Sequence, residues 1–204
     1  MKFLHRQALS LVAIVVGGLV LSAMASCALD PGDDASAETK DELVSPVPTT
    51  QAEGMRALVA NNPGARIISA SEVELGDGVV VDMPANTNDV QGCPKFWLCL
   101  SSNANFGGEQ IRFFNCKNEN LGNYRMSNGS GWNDTVSSIR NAQTGSNAQA
   151  RFYNFDGTGS VDDPNHWRFV LPLNIGSYLR DLSKDSSADG GNANDKIDIV
   201  HVCG

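Results

Sequence analysis

A short corner motif occurs twice in the C-terminal half of the chain, and this repetition limits the folds that the chain can adopt. Asn133-Asp134 and Asn194-Asp195 stand 61 residues apart, and each pair follows a Gly-rich bend and precedes a short apolar run. Repeats of this kind indicate units that cannot bury their apolar faces alone and that pack on one another. The sequence therefore predicts one sandwich made of two similar four-stranded halves.

Residues 93–204 consist of short predicted strands between clusters of Gly, Asn, Asp and Pro. This alternation is typical of an all-β sandwich. Residues 121–126 and 178–182 predict brief helical turns. The predicted strands are residues 97–100, 109–114, 137–140, 150–153, 167–171 and 197–202.

The segment before this domain, residues 57–92, predicts a β-hairpin followed by a linker. Residues 66–75 form the first predicted strand, Gly76-Asp77-Gly78 is a strong turn signal, and Val79 begins the return strand. A lone hairpin is only marginally stable in water. We therefore expect it to pack on the larger domain or on a partner.

Residues 1–26 have the features of an export signal. Lys2 and Arg6 precede an apolar run over residues 9–21, and small residues follow, as in secretory signal peptides. The run is shorter than the roughly 20 apolar residues of a transmembrane helix, so export is favoured over a membrane anchor. Residues 27–56 are acidic, contain several Pro and lack aromatic residues, which predicts a disordered tether.

Two cleavage sites compete at the end of this signal. Residues 23–25 offer an ordinary small-x-small site before Ser26, whereas residues 24–27 resemble a bacterial lipobox in which Cys27 is acylated. The other four cysteines make an even set, as in proteins of an oxidising compartment, which leaves Cys27 over. Lipidation of Cys27 is therefore favoured, with plain secretion as the alternative. The even set is Cys93, Cys99, Cys116 and Cys203.

The charge and the motif content exclude several function classes. A net charge of -8 argues against nucleic acid, whose phosphates would repel the chain. No basic amphipathic helix suits a membrane surface, so membrane association is expected only through Cys27. No nucleophile elbow, phosphate loop or dinucleotide fingerprint occurs, and neither His166 nor His201 stands in a zinc-protease motif. We expect no enzymatic activity.

Several motifs resemble known Greek-key proteins. Asn105-Phe106-Gly107-Gly108 resembles the aromatic-x-Gly bend of the βγ-crystallins, and residues 133–138 match the six-residue calcium signature of that superfamily. The Cys93-Pro94 start, the Cys93 to Cys99 spacing and the upstream hairpin look like an actinobacterial family of secreted metalloproteinase inhibitors built on the same fold. The resemblance covers about residues 60–204. It implies two Greek-key motifs packed as a βγ-crystallin-like sandwich.

The resemblance also suggests a disulfide pairing. It implies a bond between Cys93 and Cys99, which leaves Cys116 with Cys203, whereas the number of cysteines alone allows three pairings. A metal site is the alternative for these thiols, but their spacing and the expected compartment argue against it. The inhibitor that defines the family carries its reactive peptide in a Cys-bounded loop of the second half. This chain has no Cys between Cys116 and Cys203.

The two corners predict weak calcium sites. Calcium prefers six to eight oxygen ligands, and Asn and Asp tolerate the tight turns that aim backbone carbonyls inward. In the family, a carbonyl or carboxylate from the bend of the opposite repeat completes the site, which points to residues 154–156. The alternative is a purely structural corner. The predicted ligands are Asn133, Asp134, Thr135 and Ser137 at the first corner and Asn194, Asp195 and Asp198 at the second.

Two functions follow from these features. The first is an exported protein that inhibits extracellular peptidases, above all metallopeptidases, through an exposed rigid loop. The alternative is a calcium-binding structural module of the cell envelope or matrix. The candidate contact segments are residues 93–99, the bend at 101–108 and an insert at 161–166, which is favoured because it stands where the repeat symmetry is broken. The insert consists of Val161, Asp162, Asp163, Pro164, Asn165 and His166.

Overall fold

The computed structural model describes residues 50–86, 91–145 and 148–203. The predicted export signal, Cys27 and the tether as far as residue 49 lie outside the described residues. Within the described ranges, no helix has both the length and the apolar character that crossing a membrane requires.

The described chain is built from one α-helix, several short 3-10 turns and two antiparallel sheets. The helix, α1, spans Gln51–Asn61. The strands are β1 Arg66–Ile67, β2 Glu72–Gly76, β3 Val79–Asp82, β4 Leu98–Ser101, β5 Gln110–Phe113, β6 Asn118–Asn120, β7 Ser138–Asn141, β8 Ala150–Phe155, β9 Trp167–Leu173, β10 Tyr178–Leu179 and β11 Ile199–His201. The 3-10 turns are Ala104–Phe106, Leu121–Asn123, Pro164–His166 and Leu182–Lys184.

Each sheet borrows one strand from the other repeat. Sheet A has the order β1-β2-β3-β5-β4-β7-β10, and sheet B has the order β6-β11-β8-β9. The third strand of the first repeat, β6, pairs with β11, and the third strand of the second repeat, β10, pairs with β7. This exchange is the Greek-key arrangement of a βγ-crystallin-like sandwich, so the predicted all-β fold class is confirmed.

The upstream hairpin extends sheet A. Its strand β3 pairs with β5, which places Val81 opposite Ile111 and covers an edge that the first repeat alone would expose. The prediction that the hairpin packs on the larger domain is therefore confirmed. The core between the sheets is apolar and includes the fully buried side chains of Trp132, Phe113 and Phe152. Burying each of these contributes about 1.5–3 kcal/mol or more.

Two disulfides fasten the fold, with the pairing that the resemblance implied. Cys93 bonds to Cys99 and closes a short loop before and into β4. Cys116 bonds to Cys203 over a sequence separation of 87 residues. Closing a loop of that length in the unfolded chain contributes about 3–5 kcal/mol. The second bond therefore ties the end of the second repeat to the first.

Helix α1 corrects the predicted boundary of the tether at residue 56. Thr50 Oγ1 accepts the backbone N–H of Glu53 at 3.2 Å, and the Glu53 carboxylate accepts the N–H of Thr50 at 3.1 Å, which is a capping box. Met55 and Leu58 are buried in the core. Capping and burial together order a segment whose polar composition predicted disorder. A second correction concerns residues 178–179, which form β10 rather than a helical turn.

We expect Leu58→Ala to lower the free energy of unfolding by about 2–5 kcal/mol, because it leaves a cavity in a fully buried site. Arg56→Ala, at an exposed position of the same helix, is the control and should change stability by less than about 0.5 kcal/mol. Urea unfolding of both variants checks this. Equal small losses would mean that α1 does not belong to the cooperative core.

Candidate functional site

The two Asn-Asp corners lie against each other and have matching geometry. Asp134 and Asp195 adopt the left-handed conformation, with φ of 56° and 53°, which Asp tolerates better than most residues. The N–H of Asp134 donates to the carbonyl of Ile197 at 3.3 Å, and the N–H of Asp195 donates to the carbonyl of Val136 at 3.4 Å. Each corner is thus hydrogen-bonded to the other repeat.

A cavity of about 280 Å³ joins the first corner to the second repeat. Asn133 lines it together with Asp198 and Phe155, which stands in the segment expected to complete the first site. The Asp198 carboxylate accepts the N–H of Phe155 at 2.8 Å. Ser137 does not line this cavity in the described structure. Of the predicted ligands, the cavity thus brings together Asn133 of the first corner and Asp198 of the second, beside Phe155 of the expected bend.

The serine after Ser137 has a structural role. Ser138 Oγ accepts the N–H of Phe106 at 2.9 Å and donates to the carbonyl of Asn103 at 2.7 Å, which holds the first bend. Thr135 Oγ1 donates to the carbonyl of Trp132 at 2.7 Å, which closes the corner. These bonds fit the structural explanation of the motif as well as the calcium-binding one.

The carboxylates of the corners have raised pKa values, but only Asp198 is buried, whereas Asp134 and Asp195 are exposed and only partly desolvated. Burial raises the pKa of Asp198 to about 6, and the negative charge of Asp134 adds to this. Partial desolvation, with the charge of Asp195, raises the pKa of Asp134, and partial desolvation raises that of Asp195. Their ionised forms are therefore disfavoured in the folded chain, and a cation placed among them would relieve the cost.

One basic side chain opposes a cation at the first corner. Arg125 lines the same cavity as Asn133. A Cβ on Gly131 would overlap Asn133 Oδ1 and lie 3.2 Å from Arg125 Nη1, so the guanidinium stands beside the predicted ligand. Within the described ranges, no three His, Cys, Asp or Glu side chains group closely enough to hold a metal ion. The amide, carboxylate and carbonyl oxygens suit a hard cation, whereas the positive charge of Arg125 would repel one.

The second corner is partly satisfied by its own side chains. Asn194 Nδ2 donates to Asp195 Oδ2 at 2.5 Å, and Asn194 N–H donates to Asn192 Oδ1 at 3.2 Å. Lys196 Nζ lies 3.0 Å from Asp189 Oδ1. The bond from Asn194 occupies one Asp195 carboxylate oxygen that a cation would need, whereas the Lys196–Asp189 pair involves none of the predicted ligands.

The insert at residues 161–166 is held by its own hydrogen bonds. Asp163 Oδ1 accepts the N–H of Asn165 at 3.0 Å, and the Asp163 carbonyl accepts the N–H of His166 at 3.0 Å. Trp167 Nε1 donates to the carbonyl of Val161 at 2.7 Å, which fixes the start of the insert against β9. The insert is therefore ordered as well as accessible. Its exposed residues are Asp162, Pro164 and Asn165.

The two other candidate segments differ in what they present. In the bend at 101–108, Phe106 is only 1% exposed, and the Arg140 guanidinium carbon lies 4.2 Å from the centre of its ring. That aromatic belongs to the structure rather than to a contact surface. In the Cys93–Cys99 loop, by contrast, Phe96 is 49% exposed.

The sequence reasoning missed a polar cleft beside the insert. Glu119 is buried, accepts the hydroxyl of Tyr124 at 2.6 Å and lies 3.1 Å from Lys117 Nζ. Burial and this carboxylate raise the pKa of Tyr124. Asp162 and Trp167 line the same cleft of about 450 Å³. No local motif marks it, because its walls come from β6 and from the insert, which are far apart in sequence.

Comparison with known proteins supports an inhibitor. Residues 86–162 match the model of a family described as peptidase inhibitor family I36. The matched segment is less than half of the chain and spans the first repeat, the Cys93–Cys99 loop and the first two residues of the insert. It confirms the resemblance inferred from the motifs. The match to an inhibitor family agrees with the expectation of no enzymatic activity.

Two further comparisons add little. No curated protein matches the chain. A solved structure titled "Evolution of the eye lens beta-gamma-crystallin domain fold" has 22% identity, covers 60% of this chain and 94% of that chain, and superposes with a TM-score of 0.37. This superposition is too loose to define the fold, which is shown instead by the exchange of β6 and β10 between the two sheets.

We expect Asp198 to make stability depend on pH. Because its pKa is raised on folding, its contribution is fully present below about pH 4 and is lost as pH rises through about 6. Asp198→Asn keeps an acceptor for Phe155 but removes the charge. Relative to the unmutated chain, this variant should therefore gain about 2–3 kcal/mol between pH 3 and pH 7, measured by urea unfolding.

Asp156→Asn provides a control of opposite sign. Hydrogen bonds from Thr158 lower the pKa of Asp156, so its contribution is present above about pH 4 and is lost in acid. This variant should lose stability relative to the unmutated chain over the same pH range. A flat difference for Asp198→Asn would mean that the Asp198 carboxylate is well solvated.

Proposed function

We propose that this chain is an exported inhibitor of extracellular peptidases. The observation that carries the proposal is the match of residues 86–162 to a peptidase inhibitor family. The two disulfides agree with export, because such bonds persist in oxidising compartments. Acylation of Cys27, which would tether the inhibitor to a membrane, is part of the proposal and is tested by the mass of the mature N-terminal peptide.

The scaffold suits inhibition in physical terms. A binding segment that is already fixed loses little conformational entropy when it binds, which favours affinity. The interlocked sheets and the Cys116–Cys203 bond also restrict the local unfolding that proteolysis requires. A peptidase would therefore bind an exposed segment without readily cutting the chain.

The sequence-derived contact segment is the insert at residues 161–166. Its support is the set of internal hydrogen bonds made by Asp163, together with the exposure of Asp162, Pro164 and Asn165. Carboxylates are ordinary zinc ligands, so Asp162 and Asp163 suit an approach to the metal centre of a metallopeptidase. We propose this segment as one candidate for the contact with the peptidase.

We expect the full chain to inhibit at least one member of a panel of thermolysin, chymotrypsin, trypsin, elastase, papain and pepsin. Replacing residues 161–166 by an Asn-Gly turn should leave the melting temperature within a few degrees and should abolish inhibition if the insert makes the contact. Inhibition constants measured with small chromogenic substrates decide this. Unchanged inhibition would assign the contact to another segment, and no inhibition by the unmutated chain would contradict the proposed function.

A second candidate function is a calcium-stabilised structural module. The observation that favours it is the cavity where Asn133 meets Asp198 and Phe155 of the opposite repeat. In such a site Asn133 and Asp198 would offer side-chain oxygens, and calcium would supply the positive charge that the corner carboxylates lack. With so few charged ligands, affinity should suit millimolar extracellular calcium.

We expect 5 mM calcium, but not 5 mM magnesium, to raise the melting temperature by about 2–4 °C, because a ligand of the native state stabilises it by mass action. Asn133→Ala, which removes a side-chain oxygen that lines this cavity, should eliminate most of this gain. Arg125→Gln should increase it, because a guanidinium beside Asn133 no longer repels the cation. Differential scanning fluorimetry checks all three. No calcium shift in either the unmutated chain or Arg125→Gln would leave the corners purely structural.

A further inference from the structure

Phe96 occupies a backbone position that normally belongs to glycine. The N–H of Trp97 donates to the carbonyl of Pro94 at 3.2 Å, which closes a β-turn, and Phe96 is the third residue of that turn with φ of 79°. A positive φ at this position defines turns that ordinarily take Gly or Asn. A bulky aromatic residue there is a strained outlier.

Folding does not account for this side chain. The Phe96 ring is 49% exposed and is not part of the buried core. The ammonium of its neighbour Lys95 lies 4.9 Å from the ring centre, and exposed contacts of this kind contribute little. Phe96 therefore destabilises the folded chain through its strained backbone conformation, and it also exposes an apolar ring to solvent.

The loop fixes the backbone that carries this ring. Cys93 and Cys99 close it covalently. The N–H of Phe96 donates to the carbonyl of Ala142 at 2.8 Å, and the N–H of Ala142 donates to the carbonyl of Trp97 at 2.9 Å. The turn is thus fixed at both ends and along its inner side, and binding through Phe96 would require little further ordering.

More apolar surface stands next to the turn. The Phe114 ring, 50% exposed, lies 5.3 Å from the ring of Trp97, and Pro94 is exposed. Aromatic side chains such as these are enriched at protein interfaces.

We infer that Phe96 is the anchor of the peptidase contact and that it enters an apolar specificity pocket of the enzyme. The inference rests on the proposed function and lies within the matched segment 86–162. The turn keeps the backbone on either side of Phe96 out of an extended conformation, so the ring fills the pocket while the adjacent peptide bonds stay out of line for cleavage. The partner is thus a peptidase that selects large apolar side chains.

Phe96→Gly separates this role from folding. Because Gly adopts positive φ without strain, the melting temperature should stay unchanged or rise, whereas a structural role for the ring would lower it. The inhibition constant should increase at least about 30-fold, the loss typical of an interface anchor. Phe96→Tyr should keep most of the inhibition. Phe169→Ala, at a 40% exposed ring on β9, is the matched control and should change nothing.

The three serine peptidases of the panel test the pocket, because they share a fold but differ in specificity. The apolar slot of chymotrypsin should be inhibited in preference to the acidic pocket of trypsin and the small pocket of elastase. If the unmutated chain inhibits trypsin and Lys95→Ala abolishes that inhibition, the anchor is Lys95 and the assignment to Phe96 is wrong.

The outcomes separate this inference from the proposed function. If Phe96→Gly inhibits as well as the unmutated chain while the shortened insert does not, Phe96 is excluded and inhibition stands. If Phe96→Gly fails and the shortened insert inhibits normally, Phe96 is the anchor. If the unmutated chain inhibits no peptidase of the panel, the proposed function falls and this assignment falls with it.

Discussion

The structure depends on the exchange of one strand between the two repeats. The N–H of Leu121, just after β6, donates to the carbonyl of Asp198 at 2.8 Å, and the N–H of Leu182, just after β10, donates to the carbonyl of Ser137 at 2.9 Å. These equivalent bonds place the third strand of each repeat in the sheet of the other. Neither repeat can complete its sheet alone, so the described repeats should fold together.

The sequence predicted those elements whose side-chain types depend on their backbone conformation or on which face is buried. The corners were visible because positive φ at Asp134 and Asp195 selects Asn and Asp, and the longer strands because their apolar residues alternate. The exchanged strands were missed because β6 is polar and β10 has two residues, so that their pairing depends on backbone bonds that no side-chain pattern reports. Helix α1 did leave a signal, the capping box of Thr50 and Glu53, within an acidic segment whose composition suggested disorder.

The candidate sites were harder to predict because they depend on three-dimensional proximity. The sequence assigned Asp198 to the second corner, whereas the strand exchange places it in the same cavity as Asn133 of the first corner. Arg125 lines the same cavity as Asn133, and a side chain at Gly131 would overlap Asn133 and crowd the guanidinium. Likewise, the local sequence around Phe96 does not predict its glycine-like backbone conformation. That follows from a turn whose ends are fixed by a disulfide and by bonds to Ala142.

The two repeats hold their bends differently, and the difference involves one pair of equivalent positions. Ser137 and Asp198 follow their corners at the same distance. In the first repeat the neighbouring hydroxyl of Ser138 holds the bend through Phe106, whereas in the second repeat the carboxylate of Asp198 itself holds Phe155. Because this anchor lies upstream of residue 161, the connection from β8 to β9 can lengthen without disturbing the sandwich. The same carboxylate also lines the cavity beside Asn133, so this one position holds the bend of the second repeat and adds an acidic group to the first corner.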